Sequence, residues 1–313
     1  MTSDILMTER YKSFPPNAQY LKIPVSSRAA ALAGLSIYPA CRPKAIWAMR
    51  ALRAAVRVFG PQILPGPTAH WTSPLEPDLW ATLLDRWRGE LGEFQRMVIY
   101  HRAFRPGFAL LLLRLDRPIA FVKVRRAEVD ELQEVRALRA VSRFRPRAFF
   151  APELRSVGAV DGWAYFATIP FPAQVYGVPQ DPPLGSILED IRASLVDLPR
   201  SSDTPSAWQP MHGDLTPWNL RQGAEGELYL FDWERAGWGP PGADEVLYRA
   251  VQTALEMGDG RLSEVRPEAI RYWTEAMQDR LGHPDANPLA PALERILRSW
   301  QTGDQPSADG ETG

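Results

Sequence analysis

The sequence predicts an α+β fold in two lobes, a small antiparallel β lobe and a larger helical lobe, preceded by a mostly helical N-terminal extension. Three observations predict it. Residues 1–95 carry two long amphipathic periods of helical spacing, and residues 96–170 carry apolar runs of strand length separated by tight turns. Residues 171–300 return to helical periods, interrupted once by a loop and short strand rich in oxygen-bearing side chains. Residues 301–313 are polar and read as a disordered tail.

A chain of 313 residues is long enough for such a two-lobed body with an extension. Hydrophobic content of 45% and charged content of 23% are those of a globular protein. One cysteine, Cys41, excludes an internal disulfide framework, and four histidines beside it argue against a zinc site. The apolar runs are too short to cross a bilayer and no leader pattern opens the chain, so the expected location is the cytoplasm. The net charge of −1 conceals an asymmetry. Residues 1–170 hold 25 Lys+Arg against 14 Asp+Glu, and residues 171–313 hold 11 against 23. A basic front half suits phosphates and an acidic back half suits a polar or cationic acceptor, whereas two solvated surfaces account for the same counts.

In chain order, Tyr20–Val25 reads as a short strand or an extended arm, with Pro24 arguing for an edge. Pro43–Phe59 reads as a helix with Pro43 in its first turn. Ile46, Met49, Leu52, Val56 and Phe59 form its apolar face, and Arg50, Arg53 and Arg57 form a basic one. Packing with the basic face in solvent is the preferred reading. A membrane surface is the alternative partner. Gly60-Pro61 ends this helix, and residues 62–72 form a Pro/Gly loop. A second helix over 76–94 presents Leu79, Trp80, Leu83, Leu84, Trp87 and Leu91 on one stripe.

Strands are predicted over 98–104, 109–115 and 119–124, forming an antiparallel meander. Lys123, one of only four lysines, stands in the third strand, where an unpaired charge is costly. A helix over 129–141 follows with two candidate partners, Glu131 and Glu134. Asp161-Gly162 marks a hairpin turn. Helices are predicted over 184–198, 267–281 and 288–300.

The chemistry concentrates in Met211-His212-Gly213-Asp214-Leu215-Thr216-Pro217-Trp218-Asn219-Leu220 and in Leu228-Tyr229-Leu230-Phe231-Asp232-Trp233-Glu234. An Asp in a short loop can orient a hydroxyl and accept its proton. An Asn five positions on, with an Asp at the tip of a buried strand, can hold Mg²⁺ on the phosphates of a nucleotide. Phosphoryl transfer needs positioning and charge neutralisation more than covalent chemistry, so these three groups suffice. Gly223 and Gly226 supply a turn that would fold the strand back beside Asp214. Asp244 stands where a helix N-cap is expected.

These two segments resemble the catalytic and metal loops of the aminoglycoside phosphotransferase and choline kinase-like family, relatives of the protein kinases. The likeness is strong over residues 211–244, moderate over 98–171 and absent before. It implies a protein-kinase-like fold and an ATP- or GTP-dependent kinase, with Mg²⁺, acting on a small-molecule hydroxyl: a sugar, an amino alcohol or an aminoglycoside-like acceptor. It implies Asp214 as catalytic base, His212 as the brace of the catalytic loop, and Asn219 and Asp232 as metal ligands. Lys123, positioned by Glu134, would hold the nucleotide phosphates. Gly107 is the one glycine of the loop 104–108, where family members carry more; Arg105 is a substitute source of charge. The resemblance also gives Asp244 a role in bracing the catalytic loop, and places a hinge at 169–172. No nucleic-acid partner is implied. The alternatives are a nucleotide-binding pseudokinase without turnover and a membrane-surface kinase of a lipid or glycan precursor.

Overall fold

The computed structural model describes residues 9–102, 107–127, 132–257, 266–281 and 289–302, with single positions 260, 262 and 264. Arg105, Glu131 and the segment 303–313, each part of a sequence expectation, lie outside the described residues. Contacts divide the chain into two compact units. The first comprises Met1–Arg139, Ala151–Gly177 and Gln222–Glu227; the second comprises Ala140–Phe150, Val178–Arg221 and Leu228–Gly313.

The first unit is built on an eight-stranded antiparallel sheet in the order β3-β1-β2-β4-β5-β6-β8-β7. Its strands are β1 (Tyr11–Phe14), β2 (Leu21–Pro24), β3 (Thr68–Ala69), β4 (Arg96–Tyr100), β5 (Gly107–Arg114), β6 (Arg117–Arg126), β7 (Leu154–Val160) and β8 (Trp163–Thr168). The meander β4-β5-β6 is in place, with Ala109 opposite both Tyr100 and Lys123. Asp161 (φ 48°) and Gly162 (φ 75°) join β7 to β8. Both central residues have positive φ, as a two-residue hairpin that matches strand twist requires.

Helices dominate residues 1–95, as α1 (Arg28–Ser36), α2 (Pro43–Phe59) and α3 (Pro77–Leu91). The same stretch nevertheless puts β1, β2 and β3 into the common sheet, so it is continuous with the β region and the contacts do not divide at residue 95. Pro24 is not on an edge strand, because β2 lies between β1 and β4. It is tolerated because β4 pairs with β2 only at Leu21 and Lys22, so the missing N–H falls beyond that ladder.

The helix α3 buries Trp80, Leu83, Leu84, Trp87 and Leu91 against Leu110, Leu112, Val122, Val124 and Tyr165 of the sheet. Trp87 stands edge-on to Trp80 and Tyr165, with ring centroids 5.7 and 5.8 Å apart. The helix α2 departs from the expected split of faces. Arg53 is 6% exposed and donates to the carbonyls of Leu32 and Ala173, while Phe59 is 71% exposed. The periodicity placed both wrongly, because two carbonyls remote in sequence draw the guanidinium inward.

The second unit holds α5 (Leu184–Leu195), β9 (Gln209–Met211), β11 (Leu228–Leu230), β12 (Gly237–Gly239), α6 (Ala243–Ala254), α7 (Pro267–Leu281) and α8 (Ala290–Thr302). The helix α4 (Gln133–Phe144) and the strand β10 (Leu220–Gln222) have residues in both units. Val246, Leu247, Val251, Ile270, Trp273, Leu293, Leu297 and Trp300 form the core of α6, α7 and α8. Trp273 donates its indole N–H to the Ala243 carbonyl at 2.7 Å, which ties α7 to the first turn of α6. Two short pairs, β10-β11 and β9-β12, frame the loop between residues 211 and 220.

Candidate active site

The site is best built from Asn219. A turn at Thr216 carries it, since the backbone N–H groups of Asn219 and Leu220 both donate to the Thr216 carbonyl, at 2.9 and 2.8 Å. The Asn219 side-chain amide is buried and donates to the Asp214 carbonyl and to Asp214 Oδ2, both at 2.9 Å. That spends its amide hydrogens on Asp214 and leaves its Oδ1 as a lone-pair donor. The Asn219 carbonyl in turn accepts the Phe231 N–H at 3.0 Å, which brings Asp232, the next residue, beside the loop.

Asp232 adopts a left-handed backbone (φ 62°, ψ 66°) and precedes the turn Trp233–Arg235. A non-glycine residue rarely sits there, and such strain is met at functional positions. Trp233 anchors the turn: it is fully buried, and its indole N–H donates to Leu230 O at 3.2 Å.

His212 joins the two segments. Its Nδ1 accepts the Asp214 N–H at 3.2 Å, so its Nε2 carries the proton and donates to Phe231 O at 2.9 Å. The ring is fully buried and lies 4.6 Å from that of Trp233. A neutral, doubly bonded imidazole is thus a strut between the loops.

Asp244 fixes the loop from beneath. The N–H groups of His212 and Gly213 donate to its two oxygens at 2.7 and 2.9 Å. It is not the N-cap of α6, since Gly242 holds that position with φ 82° and Asp244 lies inside the first turn. The side chain turns away from its own helix because two loop donors outbid the helix end. Gly213 is required on two counts. Its φ is +75°, and a Cβ there would stand 2.2 Å from the Arg235 carbonyl. Gly213→Ala is expected to cost at least about 2 kcal/mol in urea unfolding and to lower turnover, because the loop must shift to admit the methyl.

The electrostatics follow from this crowding. Burial first, then the charges of Asp232 and Glu234, push the Asp214 carboxyl up from 3.8 to about 7, while Arg235 and the Asn219 amide pull it down. Burial likewise raises Asp244 from 3.8 to about 6 against its two N–H bonds and Arg192. Between those two values the folded chain keeps a proton on Asp244 that the unfolded chain releases. Stability therefore falls as pH rises from about 4 to 6, by on the order of 3 kcal/mol. Asp244→Asn should reduce the pH slope in urea unfolding, leaving the part that the raised Asp214 carboxyl contributes in the same direction. It should also lower turnover, since a carboxamide has one oxygen for two N–H groups.

In the first unit, Lys123 Nζ lies 2.7 and 2.8 Å from the two carboxylate oxygens of Glu134, with side chains 14% and 7% exposed. Glu134 is at the start of α4 and Lys123 is in β6. Gly107 opens β5 with φ +143°, where a Cβ would stand 2.4 Å from Val124 O, so the strand approach to β6 alone demands glycine. Sequence reasoning singled out each of these positions. It did not single out Arg235, whose charge bears on Asp214, nor Arg192, whose charge bears on Asp244. Both are ordinary surface arginines in sequence.

Two half-buried carboxylates, Asp214 and Asp232, with the amide oxygen of buried Asn219 are a donor set suited to a hard divalent cation, and an accumulation of negative charge that such a cation would relieve.

A family model described as "Phosphotransferase enzyme family" matches residues 181–278. No curated protein matches the chain. Among solved structures, the apo form of a thermostable mutant of aminoglycoside phosphotransferase APH(4)-Ia is 14% identical, covering 71% of this chain and 92% of its own, with a TM-score of 0.44. Spectinomycin phosphotransferase APH(9)-Ia, in complex with ADP and spectinomycin, is 10% identical over 74% and 95%, with a TM-score of 0.43. Amicoumacin kinase hAmiN is 13% identical over 75% and 92%, with a TM-score of 0.38. Likeness at that level says nothing of what this chain binds. Asp214, Asn219 and Asp232 all fall within residues 181–278, the segment of the chain that is similar to the phosphotransferase enzyme family.

Proposed function

We propose that the protein transfers the γ-phosphoryl group of ATP to a hydroxyl of a small polar molecule. The observation that carries this reading is the single network in which Asn219 bonds Asp214 while its own carbonyl holds the segment bearing Asp232. Asp214 orients the acceptor hydroxyl and takes its proton. Asn219 Oδ1 and the Asp232 carboxylate hold Mg²⁺, which neutralises charge on the nucleotide phosphates. Lys123, held straight by Glu134, pairs with those phosphates. The neutral His212 and the ionised Asp244 keep the loop in position without touching the substrate.

The acceptor is proposed at class level: a sugar, amino alcohol or aminoglycoside-like alcohol, reached by the acidic back half of the chain. The test has two arms. Thermal unfolding with ATP or GTP, with and without Mg²⁺, reads nucleotide binding, and nucleotide consumption over a panel of alcohols reads turnover. A nucleotide shift that needs Mg²⁺, with acceptor-dependent consumption, is expected. Binding without consumption on any acceptor would favour a pseudokinase, and no binding at all would remove the reading.

A further inference from the structure

From Arg10 to Leu75 the chain holds nine Lys and Arg and no Asp or Glu. Helix α2 lies in the middle of that run. With Arg53 turned inward, its outer face carries Trp47, Ala48, Ala51, Ala54 and Val58, all exposed, in a stripe of helical spacing. Trp47 is 69%, Val58 67% and Phe59 71% exposed, and Ile63 in the turn Pro61–Ile63 is 41% exposed. Exposed Arg42, Lys44, Arg50 and Arg57 flank this stripe, and the Arg50 guanidinium lies 5.7 Å over the Trp47 ring.

We propose that this face docks on the surface of an anionic lipid bilayer. Charge complementarity decides the occupant. Four exposed cations and no acid within 42–63 suit a surface of one sign. The apolar groups decide between a bilayer and a rigid polyanion. Large side chains stand at the two ends of the stripe, about 17 Å apart at 1.5 Å per residue, with alanines between them. Between them the stripe presents the methyl groups of exposed alanines. A helix lying in the interfacial plane takes this pattern, with Trp and Phe among the headgroups and Arg and Lys reaching the phosphates. Among the described residues no helix is long and apolar enough to cross a membrane, so the docking is peripheral.

The test is co-sedimentation of the full chain with phosphatidylglycerol vesicles and with phosphatidylcholine vesicles. Variants Trp47→Ala/Phe59→Ala and Arg50→Glu/Arg57→Glu change only exposed side chains, so the fold and nucleotide consumption are expected to be unchanged. The wild type should bind the anionic vesicles and not the neutral ones, and high salt should release it. The arginine variant should lose affinity roughly fivefold or more per cation replaced, and the aromatic variant at least about tenfold. Absence of wild-type binding to phosphatidylglycerol overturns the proposal. So does binding that survives the aromatic pair while the arginine pair abolishes it, since that is the signature of a polyanion such as nucleic acid.

Discussion

Asp214→Ala is expected to lower turnover by about 10²- to 10⁴-fold while leaving the affinity for Mg-nucleotide within a few-fold of wild type. The proposed base acts on the acceptor hydroxyl, so its loss removes a stabilisation made only in the transition state. The substitution also relieves the crowding of Asp214, Asp232 and Glu234. Thermal stability should therefore hold or rise, which separates lost chemistry from lost folding. Asp214→Asn is the sharper control. It keeps the shape and can still accept from the Asn219 amide, but it cannot take a proton. Steady-state turnover with saturating acceptor, set beside nucleotide titration, reads the split. Equal losses in both quantities would make Asp214 a structural residue of the loop.

Lys123→Met should reduce both stability and nucleotide affinity, and the two effects can be separated. The Lys123–Glu134 pair is largely buried, so removing the cation leaves a carboxylate in a place that disfavours charge. A loss of about 3–5 kcal/mol in urea unfolding is expected. In the double variant Lys123→Met/Glu134→Leu the carboxylate is removed together with the lysine, and most of that loss should return. Nucleotide affinity should not return, because the proposed phosphate contact is still missing. If the double variant binds nucleotide as the wild type does, the pair is structural and the phosphates are held by other groups.

Local signals carried much of the architecture. The meander β4-β5-β6 follows from apolar runs and tight turns between near neighbours, and the Asp161-Gly162 turn follows from residues that accept positive φ. The stripe of α3 follows from its period. In the site, Asp214 and Asn219 are five residues apart, and a short hairpin returns Asp232 to them, so the cluster is compact in sequence as well as in space. The rest was hidden by distance along the chain. The four-residue strands β1 and β2 are set by pairing, as Tyr11 faces both Pro24 and Ala69. Arg53 is drawn in by the carbonyl of Ala173, 120 positions on. Asp244 serves backbone donors 31 and 32 residues before it. A carboxylate at a helix start signals a cap locally, and only the tertiary fold shows which N–H groups it serves.

The cation is the centre of the account, and calorimetric titration of ATP with and without Mg²⁺ tests it most directly. The wild type and Asp214→Ala should both bind ATP more tightly when Mg²⁺ is present. Asp232→Ala should lose that dependence and bind weakly in either condition. Undiminished Mg²⁺-dependent binding in the Asp232 variant would contradict the account.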